Sequence, residues 1–176
     1  LFSKESIMEL EPIAMHMAHN AQRISALVEN VTPEQARWKP DPQSWSILEV
    51  INHLADEEHL DFRVRLEYIL HRPDQSWPPI DPQGWVVSRR YNQRELKSSL
   101  DSFLNARRES LDWLRRLSAP DWTTACDAPF GRITAGDMLA AWAAHDLLHL
   151  RQLVELQWAH TLTLTKPYRV YYAGDW

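Results

Sequence analysis

Proline breaks helix interiors, and in this chain it falls between four long segments. Pro33, Pro40 and Pro42 form one group, Pro73, Pro78, Pro79 and Pro82 a second, and Pro120 and Pro129 a third. Ile13 to Thr32, Gln43 to Arg72, Gly84 to Ala119 and Phe130 to Lys166 contain none. Segments of that length without a breaker predict four long helices, and apolar spacing agrees. Leu10, Ala14, Met17, Ala21, Ile24, Val28 and Val31 recur at alternating intervals of four and three, a seam down one helix. Ile47, Val50, Ile51 and Leu54, then Phe62, Leu66 and Ile69, mark a second face. Leu96, Leu100, Phe103, Leu104, Leu111 and Leu114 mark a third, and Ala135, Met138, Leu139, Trp142, Leu153 and Leu156 a fourth. Ser44 or Ser46 with Glu49, and Thr134 with Asp137, supply start signals. Helices are expected near 7–31, 44–71, 91–118 and 134–160.

The second joint, His71 to Arg90, is too long for a turn between antiparallel neighbours. Run out as an extended segment it can span the length of a helix. It therefore predicts a Pro-rich crossover that leaves helices two and three parallel. The expected fold is an all-α four-helix bundle in one domain, 1–176, with an extended tail from Thr161 to Trp176. The alternating Thr-Leu-Thr-Leu-Thr run and Lys166-Pro167 argue against helix there. Tyr168, Tyr171, Tyr172 and Trp176 are expected to pack on the bundle.

Composition narrows the function. The net charge of -5 argues against nucleic-acid binding, which normally shows a basic excess. One cysteine, Cys126, excludes an internal disulfide and a Cys-rich zinc site. It sits in a linker beside Asp127, a poor setting for a thiolate nucleophile. Four glycines leave no Gly-rich phosphate loop. No apolar run reaches the ~18 residues of a membrane span. Lys4, Glu5 and Glu9 interrupt any signal-peptide core. A cytoplasmic protein is the expectation.

Two histidines carry the chemical signal. His145 and His149 lie one helical turn apart, on a stripe that runs through Trp142, Gln152 and Leu156. Imidazoles facing a bundle core need hydrogen-bond partners or a metal. This spacing lets both rings meet one ion. Helix two offers His53 as third ligand, on the flank of its apolar face; His16 and His19 on helix one are alternatives. Three neutral imidazoles leave an open coordination position, the catalytic pattern. Asp146 and Gln152 are candidates for orienting the ligand rings. Glu57, one turn from His53, is a candidate catalytic base, a fourth ligand or a surface residue. Asp56/His59 and Asp146/His149 mimic half of a di-iron frame, but no acid interrupts the helix-one seam to complete it. Trp45, Trp142, Trp77 and Trp85 are candidates for an apolar wall around the ion.

Trp45-Ser46-x-x-Glu49-x-x-x-His53-Leu54-x-Asp56 on helix two, with His145-Asp146-x-x-His149-x-x-Gln152 on helix four, resembles the DinB-like (YfiT-type) superfamily. The resemblance spans nearly the whole chain. It implies up-down-down-up topology, one zinc or nickel ion per chain on His53, His145 and His149, and a homodimer. It also implies a small-molecule substrate and no DNA or membrane partner. Characterised members couple low-molecular-weight thiols to electrophiles as S-transferases or isomerases, and others carry the description metal-dependent hydrolase. An S-transferase is the expected activity, with hydrolysis, or metal binding without turnover, as the alternatives.

Overall fold

The computed structural model describes residues 9–174. Seven α-helices appear among them: α1 (Leu10–Val28), α2 (Pro33–Arg37), α3 (Ile47–Leu60), α4 (Phe62–His71), α5 (Pro82–Ser88), α6 (Leu96–Arg116) and α7 (Ala135–Leu164). A hairpin of β1 (Ala125–Ala128) and β2 (Gly131–Thr134) precedes α7. The first positions expected of helix one lie outside the described residues, as do Lys4, Glu5 and Trp176. No helix among the described residues is long and apolar enough to cross a membrane.

Side-chain pairs fix the helix directions. Asn52 meets Ser99 and Glu58 meets Arg107, so α3 and α6 are parallel. Asn20 meets Asp146 and Leu27 meets Gln157, so α1 and α7 are parallel. Glu11 meets Arg115 while Met17 meets Arg107, so α1 and α6 are antiparallel. The bundle is therefore up-down-down-up.

The crossover is not simply extended, as the sequence suggested. Asp81 caps α5 through the Gly84 N–H at 2.9 Å, and Pro82 opens the helix with a pre-set φ. Beyond α5, Tyr91 donates to the Asp56 carboxylate, Arg89 pairs with the same group at 2.7 Å, and the Ser46 hydroxyl donates to Asn92 at 2.7 Å. These contacts tie the returning strap to α3 before α6 begins.

Four further expectations need correction. Helix two is broken at Asp61 (φ -119, ψ -93), where the Asp61 carboxylate turns to pair with Arg65. The Cys126 linker is β-hairpin, with Cys126 opposite Ile133 and Gly131 at φ 123. A positive φ there suits glycine alone. Helix four runs on through the Thr-Leu repeat to Leu164. Its threonines bond back into the helix, Thr161 to the Gln157 carbonyl at 2.8 Å and Thr163 to that of His160 at 2.7 Å. The tail aromatics do not pack on the bundle: Tyr168, Tyr171 and Tyr172 are 82%, 79% and 96% exposed.

The core has two apolar halves. Ile24, Val28, Ile47, Ile51, Phe103 and Leu153 belong to one, and Met17, Leu66, Ile69, Leu114, Leu139 and Trp142 to the other. Between them in sequence order on every bundle helix stands a buried polar residue: Asn20, Glu58, Arg107 and Asp146. Arg107 is forked onto both Asp146 oxygens at 2.7 Å, donates from Nε to Glu58 at 2.9 Å, and reaches the Met17 carbonyl at 3.0 Å. Burial works against its charge, but the Glu58 and Asp146 carboxylates outweigh that and raise its pKa.

Candidate metal centre

Two capped helices carry the histidines. Ser46 and Glu49 form a reciprocal capping box at the start of α3, and Thr134 and Asp137 one at the start of α7. Each box fixes the first turn and with it the helical phase that points His53, His145 and His149 at one another. Because α3 and α7 are antiparallel, His53 lies level with the later His149 as well as with His145. Ring centroids are 4.8 Å apart for His53 and His149, 5.5 Å for His53 and His145, and 4.4 Å for His145 and His149. One ligand nitrogen from each residue falls within 4.8 Å of the others.

The electrostatics suit ligation. Burial pushes the His53 pKa down to about 3, helped by His149 and His145. Burial likewise pushes His145 down to about 3, with His149 and Arg107 adding to it. His149 is lowered by burial, against the opposing pull of Gln152 and Asp146. All three rings are therefore neutral near pH 7, the form that offers a lone pair. Gln152 Oε1 lies 2.8 Å from His149 Nδ1. With the proton on Nδ1, Nε2 of His149 presents its lone pair toward Nε2 of His145, 3.1 Å away. Ligand nitrogens about 2.0–2.1 Å from a tetrahedral ion sit about 3.3 Å apart, so this pair already has the required spacing. His53 Nδ1 and Glu57 Oε1 are buried without hydrogen-bond partners, 3.6 Å from each other. His145 and His149 can share a proton across their Nε2 contact, but His53 Nδ1 is left buried without a partner, and the donor set fits a divalent ion.

Glu57 is only 4% exposed, which removes the surface-residue reading. Burial, then the neighbouring Asp61, pushes its carboxyl up to about 9. It lines, with the three histidines, an open cleft of about 780 Å³. Asp146 does not orient a ring; both its oxygens are held by Arg107. Asp56 is held by Arg89 and Tyr91, so neither aspartate of the di-iron pattern is free to bridge metals. His16 and His19 are exposed, away from the group. Among the tryptophans, Trp45 stands edge-on to His53 at 4.9 Å and lines the cleft. Trp142 is core and donates to Glu58 at 2.8 Å, Trp77 stacks under Arg65, and Trp85 under Arg89. Phe62, whose ring lies 4.9 Å from His145, was read from sequence only as part of an apolar face, and Arg107 was not singled out. A signal for Arg107 exists: it occupies the seam position between Phe103 and Leu111.

The sequence pattern of the DinB superfamily matches residues 16–153. Among solved structures the fold is similar to YfiT from Bacillus subtilis, described as a probable metal-dependent hydrolase with an unusual four-helix bundle topology. The two superpose with a TM-score of 0.76 at 20% identity, over 88% of this chain and 90% of that one. At that identity the likeness speaks to fold. No curated protein sequence matches the chain.

Proposed function

The chain belongs to the DinB superfamily, and on that premise we propose that it is a metal-dependent enzyme holding one zinc or nickel ion on His53, His145 and His149. The observation that carries this reading is the convergence of three neutral imidazoles, His53 and His149 buried and His145 half-buried, on the floor of an open cleft. A divalent ion held there supplies Lewis acidity, lowering the pKa of a water or thiol at its open position.

Hydrolysis of a small molecule is the reaction we favour, in line with the description of the YfiT neighbour. Glu57 supports it. Its carboxyl lines the cleft beside His53 and is the residue that holds or moves a proton there. Burial keeps it protonated at neutral pH, and a cation beside it frees it to ionise. Gln152 orients His149 through its Nδ1, and the Trp45 edge keeps water from one side of His53. Thiol S-transfer is the second reading, and the size of the cleft, room for two small reactants, favours it. Assay of metal-loaded protein on esters, amides and lactones, and on thiol–electrophile pairs, tests the two. Turnover that chelation abolishes and zinc or nickel restores is expected. Turnover indifferent to chelation overturns the assignment.

A further inference from the structure

We propose that Arg107 is the positioning residue of the metal centre: from a helix that supplies no ligand, it fixes the two ligand-bearing helices against each other and, through Trp142 and Phe62, the ring of His145. The inference rests on the metal-centre reading above and names what holds that site in shape.

The ligand rings are thinly held by hydrogen bonds. A metal-bound histidine normally donates its second ring nitrogen to a carboxylate, carbonyl or water, and that bond sets the angle of the ring. Among the described residues only His149 has such a side-chain partner, Gln152. His53 Nδ1 has none, and the hydrogen-bond partner of His145 is His149 itself. The angles of these two rings are therefore set by packing and by the placing of their helices.

Arg107 supplies the placing. It lies on α6, and its guanidinium holds α3 through Glu58 at 2.6 Å and α7 through both Asp146 oxygens at 2.7 Å. Asp146 is next in sequence to His145, and Glu58 follows His53 by about a turn and a half of α3. The brace thus crosses the core just beneath the ligands. A planar fork bonded to two carboxylates at once tolerates little rotation or sliding of either helix. A further bond to the Met17 carbonyl, at 3.0 Å, brings in α1. Buried ion pairs seldom add stability over well-packed apolar residues, and their best-attested use is to set register.

The Glu58 carboxylate carries the brace on to His145. Its Oε1 accepts from Trp142 Nε1 at 2.8 Å, which fixes that indole in the core. Phe62 stacks on Trp142 with the two planes 4° apart, and its ring rests against His145, centroids 4.9 Å apart. A shift of Glu58 is passed through two aromatic rings to a ligand. Metal sites need their ligands held to about 0.5 Å and 10–20°, so a shift of that size is felt by the ion.

Cobalt(II) reports both affinity and ligand geometry, so the test needs no assay of turnover. Wild type, Arg107→Met, Arg107→Lys, the triple variant Glu58→Leu/Arg107→Met/Asp146→Leu and Leu114→Ala are titrated with cobalt against a chelator, well below the melting temperature of each. Leu114 is fully buried on the same helix, about two turns from Arg107, so its truncation is the control for lost stability alone. The triple variant strands no carboxylate and reports on positioning should Arg107→Met fail to fold. Arg107→Met and the triple variant should bind cobalt about 10–100-fold more weakly than wild type, with an altered visible band. Arg107→Lys, which keeps the charge but not the fork, should fall between, and Leu114→Ala should match wild type in both readouts. Wild-type affinity and band in Arg107→Met or in the triple variant, or an equal loss in Leu114→Ala, overturns the inference alone. Failure of wild type to bind cobalt overturns the metal-centre reading and this inference with it.

Discussion

Among the described residues Gln152 makes the one hydrogen bond between a ligand ring and a side chain outside the histidine group, and it sets which nitrogen of His149 faces the site. Replacing it with Leu should weaken metal affinity about 10–100-fold while leaving the fold intact; competition against a coloured chelator measures this. Protons compete for the same groups. His53 and His145 titrate near 3 when folded and near 6.5 when unfolded. Between those values the unfolded chain binds more protons, so stability is full above about pH 6.5 and is lost as pH falls toward 3. Glu57, raised to about 9 from 4.5, has the opposite sign: the folded state holds the extra proton, and its contribution is lost as pH rises through that window. Metal-stripped protein should therefore melt highest near pH 6.5, with a lower melting temperature at pH 4.5 and at pH 9. A melting temperature flat across that range would contradict the buried placement of these groups. The His145/His149 pair was legible because helical spacing alone puts two such rings together. The Asp146–Arg107 pair was not, because it joins residues 39 apart in sequence and only tertiary packing brings them into contact. Arg107→Met strands Glu58 and Asp146 without their cation, and should cost about 3–5 kcal/mol by denaturant unfolding.

Elements were read from sequence where their periodicity was long and missed where it was short. Seven-residue α5 and the four-residue strands leave too few positions for any period to show, and Ala125-Cys126-Asp127-Ala128 is not rich in strand formers. The Thr-Leu run after His160 alternates like a strand, yet it has no partner strand, and the preceding helix simply continues through it. The capping boxes were legible because their geometry is encoded within four residues. The Ser46 hydroxyl accepts from the Glu49 N–H at 3.1 Å and donates to Asn92 at 2.7 Å, so it holds both the start of α3 and the returning crossover. Ser46→Ala should cost about 1–2 kcal/mol by thermal or chemical unfolding. A loss within error would show that the capping box adds nothing to the packing of α3.

At the scale of the whole molecule, α7 keeps Leu147 and Leu148 49% and 55% exposed in mid-helix and Leu164 71% exposed at its end. We propose that the chain forms a homodimer that covers Leu147 and Leu148; light scattering should return twice the chain mass, and a monomer at micromolar concentration would contradict it. The three histidines come from one chain, so deletion of the tail from Pro167 should leave metal content unchanged. The most direct test of the whole account is metal content by elemental analysis, with wild type and His145→Ala/His149→Ala purified side by side and dialysed against zinc. The account predicts about one ion per wild-type chain and none in the double variant. Equal occupancy in the two proteins, or two ions per wild-type chain, would contradict it.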